Sequence, residues 1–356
     1  MNINRRNVLK LTVGSTLAMP ALMRNAYSQE RAVHIGIYNS QLGKVVQREI
    51  IPNFERDFKC RVYTIEGATL SNIAALRTTR ETPRFSAMMM DDVGVQQAKQ
   101  EGLIEKLDPA KIPNLENVYP RFLFEDSFGV AVSISAAGMF MNPNAPTTKG
   151  LNSYEQLFDP KFKQRLILSS PKYTSSVLFV MFMASLATGK PIKEAQYLVD
   201  QGWDKLKELK PSVLTVFENE ANVMMVPQGQ ADVGGIEYTK AIYPHTMKNV
   251  PITLAPMKEG FFTGINSITL AKNAPDPELG NAFINRMLDK DVMKLLGEQT
   301  VSAPSVKDIT FSPDFEKYLP YPLSKMDDMQ LVTPDWTFVN AKRGEILERY
   351  NQILSA

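Results

Sequence analysis

GFFTGINSITL, residues 260 to 270, places glycines on either side of an aromatic pair and then resumes a strand pattern at Asn266. A run that can bend and then continue as strand is what a chain needs to leave one sheet region and enter another. A second run, Ser133-Ile134-Ser135-Ala136-Ala137-Gly138-Met139-Phe140-Met141-Asn142, is long, strand-like and made mostly of small residues. Together they predict two passages of backbone between two α/β lobes, with Asn266 to Leu270 returning the chain to the first.

The flanking sequence supplies the units to be joined. Val33 to Tyr38 is a short apolar run suited to an internal parallel strand, Lys44 to Phe58 repeats apolar residues at helical spacing, and Cys60 to Ile65 reads as the next strand. A helix near Leu70 to Thr78, a strand at Phe85 to Met90 and a helix from Val93 to Glu101 follow. The centre repeats the alternation: strand at Leu166 to Ser169, helices at Ser175 to Thr188 and Ile192 to Lys207, and a strand at Ala231 to Ile236 that delivers Glu237 and Tyr238. A short strand at Ile252 to Ala255 precedes the second passage.

The amino terminus says where such a protein works. Arg5-Arg6 stand before Val8-Leu9-Lys10, Leu11 to Met23 is a modest apolar region, and Ala26-Tyr27-Ser28 offers small residues for cleavage. This pattern predicts a twin-arginine export signal over residues 1–28 and a periplasmic mature protein. The apolar run is well short of the roughly 20 residues needed to span a bilayer.

The full chain of 356 residues has 40 basic and 38 acidic side chains. Without the four basic residues of the signal, 36 basic face 38 acidic, so a nucleic-acid partner has no electrostatic support. One cysteine, Cys60, cannot form an internal disulfide and is expected to be buried. The mature length predicts two domains.

Catalytic chemistry is thinly provided. Of the two histidines, His34 sits in an apolar strand and His245 follows Tyr243-Pro244 in an expected turn. There is no G-x-S-x-G elbow, H-E-x-x-H helix or phosphate-cradling glycine loop, so no enzyme and no cofactor is expected. Ferric-ion binding would want paired phenolates, but Tyr238 and Tyr243 are five apart and on a helix face different ways.

Residues 95 to 108 (VQQAKQEGLIEKLD), Gly138 to Asn142, Tyr154 to Lys163 (YEQLFDPKFK), Gln228 to Gly234 (QGQADVG) and the strand from Asn266 to Ala274 occur in a telling order. They resemble landmarks of the extracellular solute-binding proteins of ABC importers, nearest the spermidine/putrescine-binding branch, across about residues 33 to 305. The resemblance implies a hinged, two-lobed periplasmic binding protein that works as a monomer, closes on a small-molecule solute and presents it to inner-membrane ABC permease subunits. It implies a first lobe over residues 29–137 and 265–330 and a second over 138–264. The C-terminal helical segment, 331–356, would pack back on the lobes.

Site residues carried over from the resemblance are Asn39, Ser40 and Gln41 after the first strand, where the family's aromatic wall is missing. Asp91 and Asp92 follow the third strand; Ser170 and Tyr173 occupy the central loop, which in polyamine binders carries acids and here carries none. Glu237 lies close to a family aromatic, and Asn266 falls where the family has a key aspartate. Read from the residues themselves, Tyr238 at the strand end and Thr263 as a polar contact complete the set.

Carboxylates and aromatic faces replace the hydration of an ammonium, so an amine-containing solute is expected. Simpler roles compete at several positions: Asp92 as a helix N-cap, Glu237 as a cap or a partner of Lys240, Tyr173 as a loop residue, Phe261 and Phe262 as packing. An inward Lys172 or Lys240 would instead favour a carboxylate or phosphonate on the solute.

Overall fold

In the computed structural model, residues 31–124, 127–218 and 220–355 are described; the twin-arginine segment lies outside them. In chain order the principal strands are β1 (Arg31–Ile37), β2 (Cys60–Glu66), β3 (Ala87–Asp91), β4 (Gly129–Met141), β5 (Leu166–Ser169), β6 (Val213–Phe217), β7 (Val233–Tyr238) and β8 (Phe261–Ala271). They run side by side as β2-β1-β3-β8-β4-β7-β5-β6.

The two long strands at the centre make this one sheet serve two lobes. β4 pairs antiparallel with β8 from Val130 to Ala137, and with β7 from Ala137 to Met141. β8 in turn pairs with β3 only from Asn266 onward. Partner exchange therefore occurs near Ala137 on one strand and near Asn266 on the other. Outside this centre the pairs β1–β2, β1–β3, β5–β7 and β5–β6 are parallel, as helical crossovers require.

Two separate cores lie on either side of the exchange. Val33, Ile35, Phe54, Ile134, Ile268 and Phe283 belong to one; Met139, Leu168, Phe179, Phe182, Trp203 and Phe262 belong to the other. Phe261 and Phe262, adjacent on β8, point into different cores, as the two-residue strand period demands. Cys60 is buried in the first.

The first helical region is continuous in space but not uniform: α1 (Gln41–Val45) and α2 (Ile51–Phe58) are joined by a π-helical turn, Val46–Ile50. α3 (Thr69–Thr78) and α4 (Asp92–Gln100) bracket β3. α5 (Thr174–Thr188) is buried along its whole length from Ser175 to Ser185, which explains its unbroken apolar sequence.

The expected helix from Ile192 to Lys207 is in fact broken into α6 (Ile192–Ala195), a 3-10 turn at Val199–Gly202, and α7 (Trp203–Leu209). A Cβ on Gly202 would stand 2.7 Å from the Ala184 amide nitrogen, so the chain is pressed onto the α5 backbone where an uninterrupted helix could not lie. His245 likewise departs from expectation: α8 (Thr239–Thr246) includes it, with Pro244 inside the helix rather than ending it.

Beyond α9 (Pro277–Met287) and α10 (Lys290–Thr300), the chain ends in α11, Trp336–Ser355. Trp336, Val339, Ile346 and Tyr350 of α11 join the second core, and Tyr350 Oη donates to Ser169 O at 2.9 Å. Its first turn also reaches α4, where Gln96 Nε2 donates to Thr337 Oγ1 at 2.6 Å. Among the described residues no helix is long and apolar enough to cross a membrane.

Candidate functional site

The partner exchange brings the ends of β3, β7 and β8 together, and a cavity of about 180 Å³ opens there. It is lined by Asp91, Asp92, Thr174, Tyr238, Lys240, Asn266 and Trp336, among others. A larger groove of about 670 Å³ shares Asp91, Val93 and Thr174 with it and adds Thr69, Gln97, Tyr173, Asn340 and Arg343. Sheet register sets the arrangement: Asn266 lies directly opposite Asp91, at a bulge between Asn266 and Ser267. Bulges re-aim side chains, and this one sits where the site needs it.

Asp91 occupies the N-cap position of α4, yet its side chain makes no cap. Instead Oδ1 accepts from Tyr38 Oη and from Asn266 Nδ2, each at 2.9 Å, while Oδ2 accepts from Thr69 Oγ1 at 2.9 Å. The Asp91 amide returns a hydrogen bond to Thr69 Oγ1 at 3.1 Å. Burial first, and then the Asp91 charge, pushes the Tyr38 phenol well up, so it stays a donor.

Asp92 is in a different position altogether. It is 5 % exposed; Oδ1 accepts from the Val93 amide at 3.1 Å, and Oδ2 has no hydrogen-bond partner. Burial pushes its carboxyl up to about 8, with Asp91 adding to the rise and the Trp336 indole opposing it. The Trp336 Nε1–H is also buried and unpartnered. The two groups face each other in one cavity, close enough for the indole N–H to favour the carboxylate but without a formed hydrogen bond.

From the other side, α8 contributes Lys240. Its Nζ donates to Asn266 Oδ1 at 2.8 Å and lies 5.6 Å from the centroid of the Tyr238 ring. Burial lowers its pKa, opposed by Asp91, Glu237 and Asp92. The Tyr238 ring itself lies over Gly264: a Cβ there would be 2.2 Å from Tyr238 Cε1. Asp335 fixes the start of α11 and with it Trp336, since its Oδ1 accepts from the Phe338 amide at 3.1 Å and its Oδ2 from Tyr197 Oη at 2.9 Å.

The remaining expected site residues lie elsewhere. Asn39, Ser40 and Gln41 are exposed and border neither the cavity nor the groove; Ser40 caps α1 by accepting from the Gly43 amide. Tyr38, just before them, turns its hydroxyl inward to Asp91 but lines neither the cavity nor the groove. Thr263 is fully buried and hydrogen-bonded to Thr333 Oγ1 at 3.2 Å, outside the cavity lining. Ser170 is buried and meets the Lys172 amide.

Glu237 turns to the backbone, its Oε1 accepting from the Tyr238 amide at 2.8 Å. A strand sends consecutive side chains to opposite faces, and here Tyr238 lines the cavity while Glu237 does not. Tyr173 borders the groove, its hydroxyl donating to Glu218 O, while Lys172 pairs with Glu218 at 2.8 Å. Tyr243 packs on Tyr318 at 5.3 Å, so the two phenols weighed for iron are not gathered together. No cluster of three His, Cys, Asp or Glu suited to a metal ion occurs among the described residues.

A hinge of paired long strands with a polar cavity at the exchange has a counterpart in a known family. The family model for bacterial extracellular solute-binding proteins matches residues 49–321. The chain belongs to that family. It is a family of solute-binding proteins rather than of enzymes.

This solute-binding protein is 24% identical over 250 residues to the spermidine/putrescine-binding periplasmic protein of Salmonella typhimurium, covering 68% of this chain and 69% of that one. Among solved structures, an ABC transporter protein from Clostridium perfringens superposes with a TM-score of 0.76 at 19% identity, covering 90% of this chain and 99% of that one. A binding protein from A. tumefaciens B6, in complex with glucopine, gives 0.70 at 18% identity, with 91% and 99% covered. The two-lobed α/β fold of the solute-binding protein is that of these periplasmic binding proteins.

Proposed function

We propose that the protein captures a small amine-bearing solute in the 180 Å³ cavity and hands it to permease subunits of an ABC importer. The observation that carries this reading is Asp92: a buried carboxylate with a free oxygen, in a cavity also lined by the Tyr238 and Trp336 rings. An ammonium leaving water needs such acceptors and π faces. The polyamine-binding relatives support the same class of solute.

In this reading residues 29–137 with 265–330 and residues 138–264 move as two lobes about Ala137 and Gly264, and 331–356 rides on the second. The protein works as a periplasmic monomer exported by the twin-arginine route, which Arg5→Lys with Arg6→Lys would block.

Binding a cation beside Asp92 favours its charged form. At pH 7 the empty site holds a proton that the ammonium displaces, so calorimetry in buffers of differing ionisation enthalpy should register close to one proton released per amine bound. Asp92→Asn should abolish that release and weaken binding by about 1.5–3 kcal/mol. Amines that neither raise the melting temperature nor release a proton would sink the reading.

A further inference from the structure

The cavity's unfilled donors and acceptors do not match a pure amine. An ammonium group carries three N–H donors. Lys240 Nζ spends one on Asn266 Oδ1, its only hydrogen-bond acceptor among the described residues, and no ion pair within 4.0 Å holds it. The attraction of Asp91, Glu237 and Asp92 supports its charge from a distance without occupying those donors. Asp91 already accepts from Tyr38, Thr69 and Asn266, which leaves it about one of four lone-pair sites.

What remains open is therefore lopsided. The spare donors of Lys240 need acceptors and Trp336 Nε1–H has only Asp92 facing it, while on the accepting side Asp92 Oδ2 is open and Asp91 Oδ2 takes a single side-chain donor. A diamine would bring only donors and would set a second cation against Lys240, a like-charge contact in a desolvated site. An amino group on Asp92 and a carboxylate on Lys240 and the indole would satisfy all three residues at once.

We propose that the solute is an amino-carboxylate, with an anionic group beside its amine, and that Lys240 is the residue that selects for it. The proposal rests on the amine reading above and narrows it. Asn266 anchors the Lys240 ammonium for this role, and Glu237 supports only its charge.

The test is a calorimetric titration of the full mature chain with short diamines, ω-amino carboxylates of matched length, and alkyl carboxylates that lack the amine. At least one amino-carboxylate is expected to bind roughly tenfold or more tightly than its matched diamine, a gap of about 1.4 kcal/mol. Lys240→Met should cost the amino-carboxylate roughly tenfold and improve the diamine, with Lys240→Gln as the second variant should the first fail to fold.

Diamines that bind more tightly than amino-carboxylates in the unmodified protein, with the ranking unchanged in both variants, would overturn the proposal. Carboxylates without an amine that bind as well as the amino-carboxylates would instead overturn the amine reading and leave Lys240 in its role. No binding by any member of the series at millimolar concentration would overturn both.

Discussion

At the end of β3, the Asp91 carboxylate takes three side-chain donors, from Tyr38, Thr69 and Asn266. Across the same cavity, Asp92 Oδ2 and Trp336 Nε1 have no partner and Lys240 has one. Two carboxylates adjacent in sequence therefore do opposite things. Where polar groups are mutually satisfied they fix shape, because every displacement breaks a hydrogen bond. Where they are left open in a buried place they cost stability, and a ligand that completes them recovers that cost.

The sharpest way to break this contrast is through pH. Asp92 has an ordinary carboxylate pKa when unfolded and about 8 when folded, so the protein without ligand holds a proton that the unfolded chain has lost. The contribution is whole below about pH 4 and is lost as pH rises towards 8, a fall of at most about 6 kcal/mol. Urea unfolding across that window should show the decline in the unmodified protein and a flatter profile in Asp92→Asn. Parallel profiles would mean that Asp92 is not held neutral.

Asp91→Ala tests the satisfied side. It strands the donors of Tyr38, Thr69 and Asn266, and should destabilise by about 2–4 kcal/mol with or without ligand. A loss of binding with unchanged unfolding would show that Asp91 is itself a ligand contact rather than a scaffold.

A smaller effect is expected at Gly264, where an alanine methyl would press on the Tyr238 ring. Overpacking of this kind costs about 1–3 kcal/mol. Gly264→Ala should show the change mainly as weaker solute binding, measured by calorimetry, because the ring yields into the cavity. Equal binding in the variant would place the ring outside the solute's path.

The fold was legible because hydrophobic period and composition are local signals. The alternation from Val33 to Glu101 and the two strand-like passages at Ser133 and Asn266 required no knowledge of distant contacts. The helix break at Gly202 was not legible, since its cause is the α5 backbone on the far side of the contact.

The candidate site divided the same way. Asp91, Asp92, Tyr238 and Asn266 stood out by residue type and by family position, and the structure gathers them in one cavity. Tyr38 and Thr69 were hidden because their partner is 53 and 22 residues away. Trp336 was hidden because it arrives on a C-terminal helix whose apolar face reads simply as packing. Glu237, singled out beside Tyr238, is not among the cavity lining but turns its carboxylate to the Tyr238 amide.

The chain has two tryptophans, and they occupy contrasting places. Trp203 is sealed in the second core, its indole N–H given to Asp200 at 3.2 Å; Trp336 lines the cavity with its N–H free. The near-ultraviolet emission of the protein therefore has one component from the sealed core and one from the cavity wall, which a solute bound in that cavity would change. Occupancy can be followed in the unlabelled protein, and Trp336→Phe removes the responsive component while leaving the reference in place.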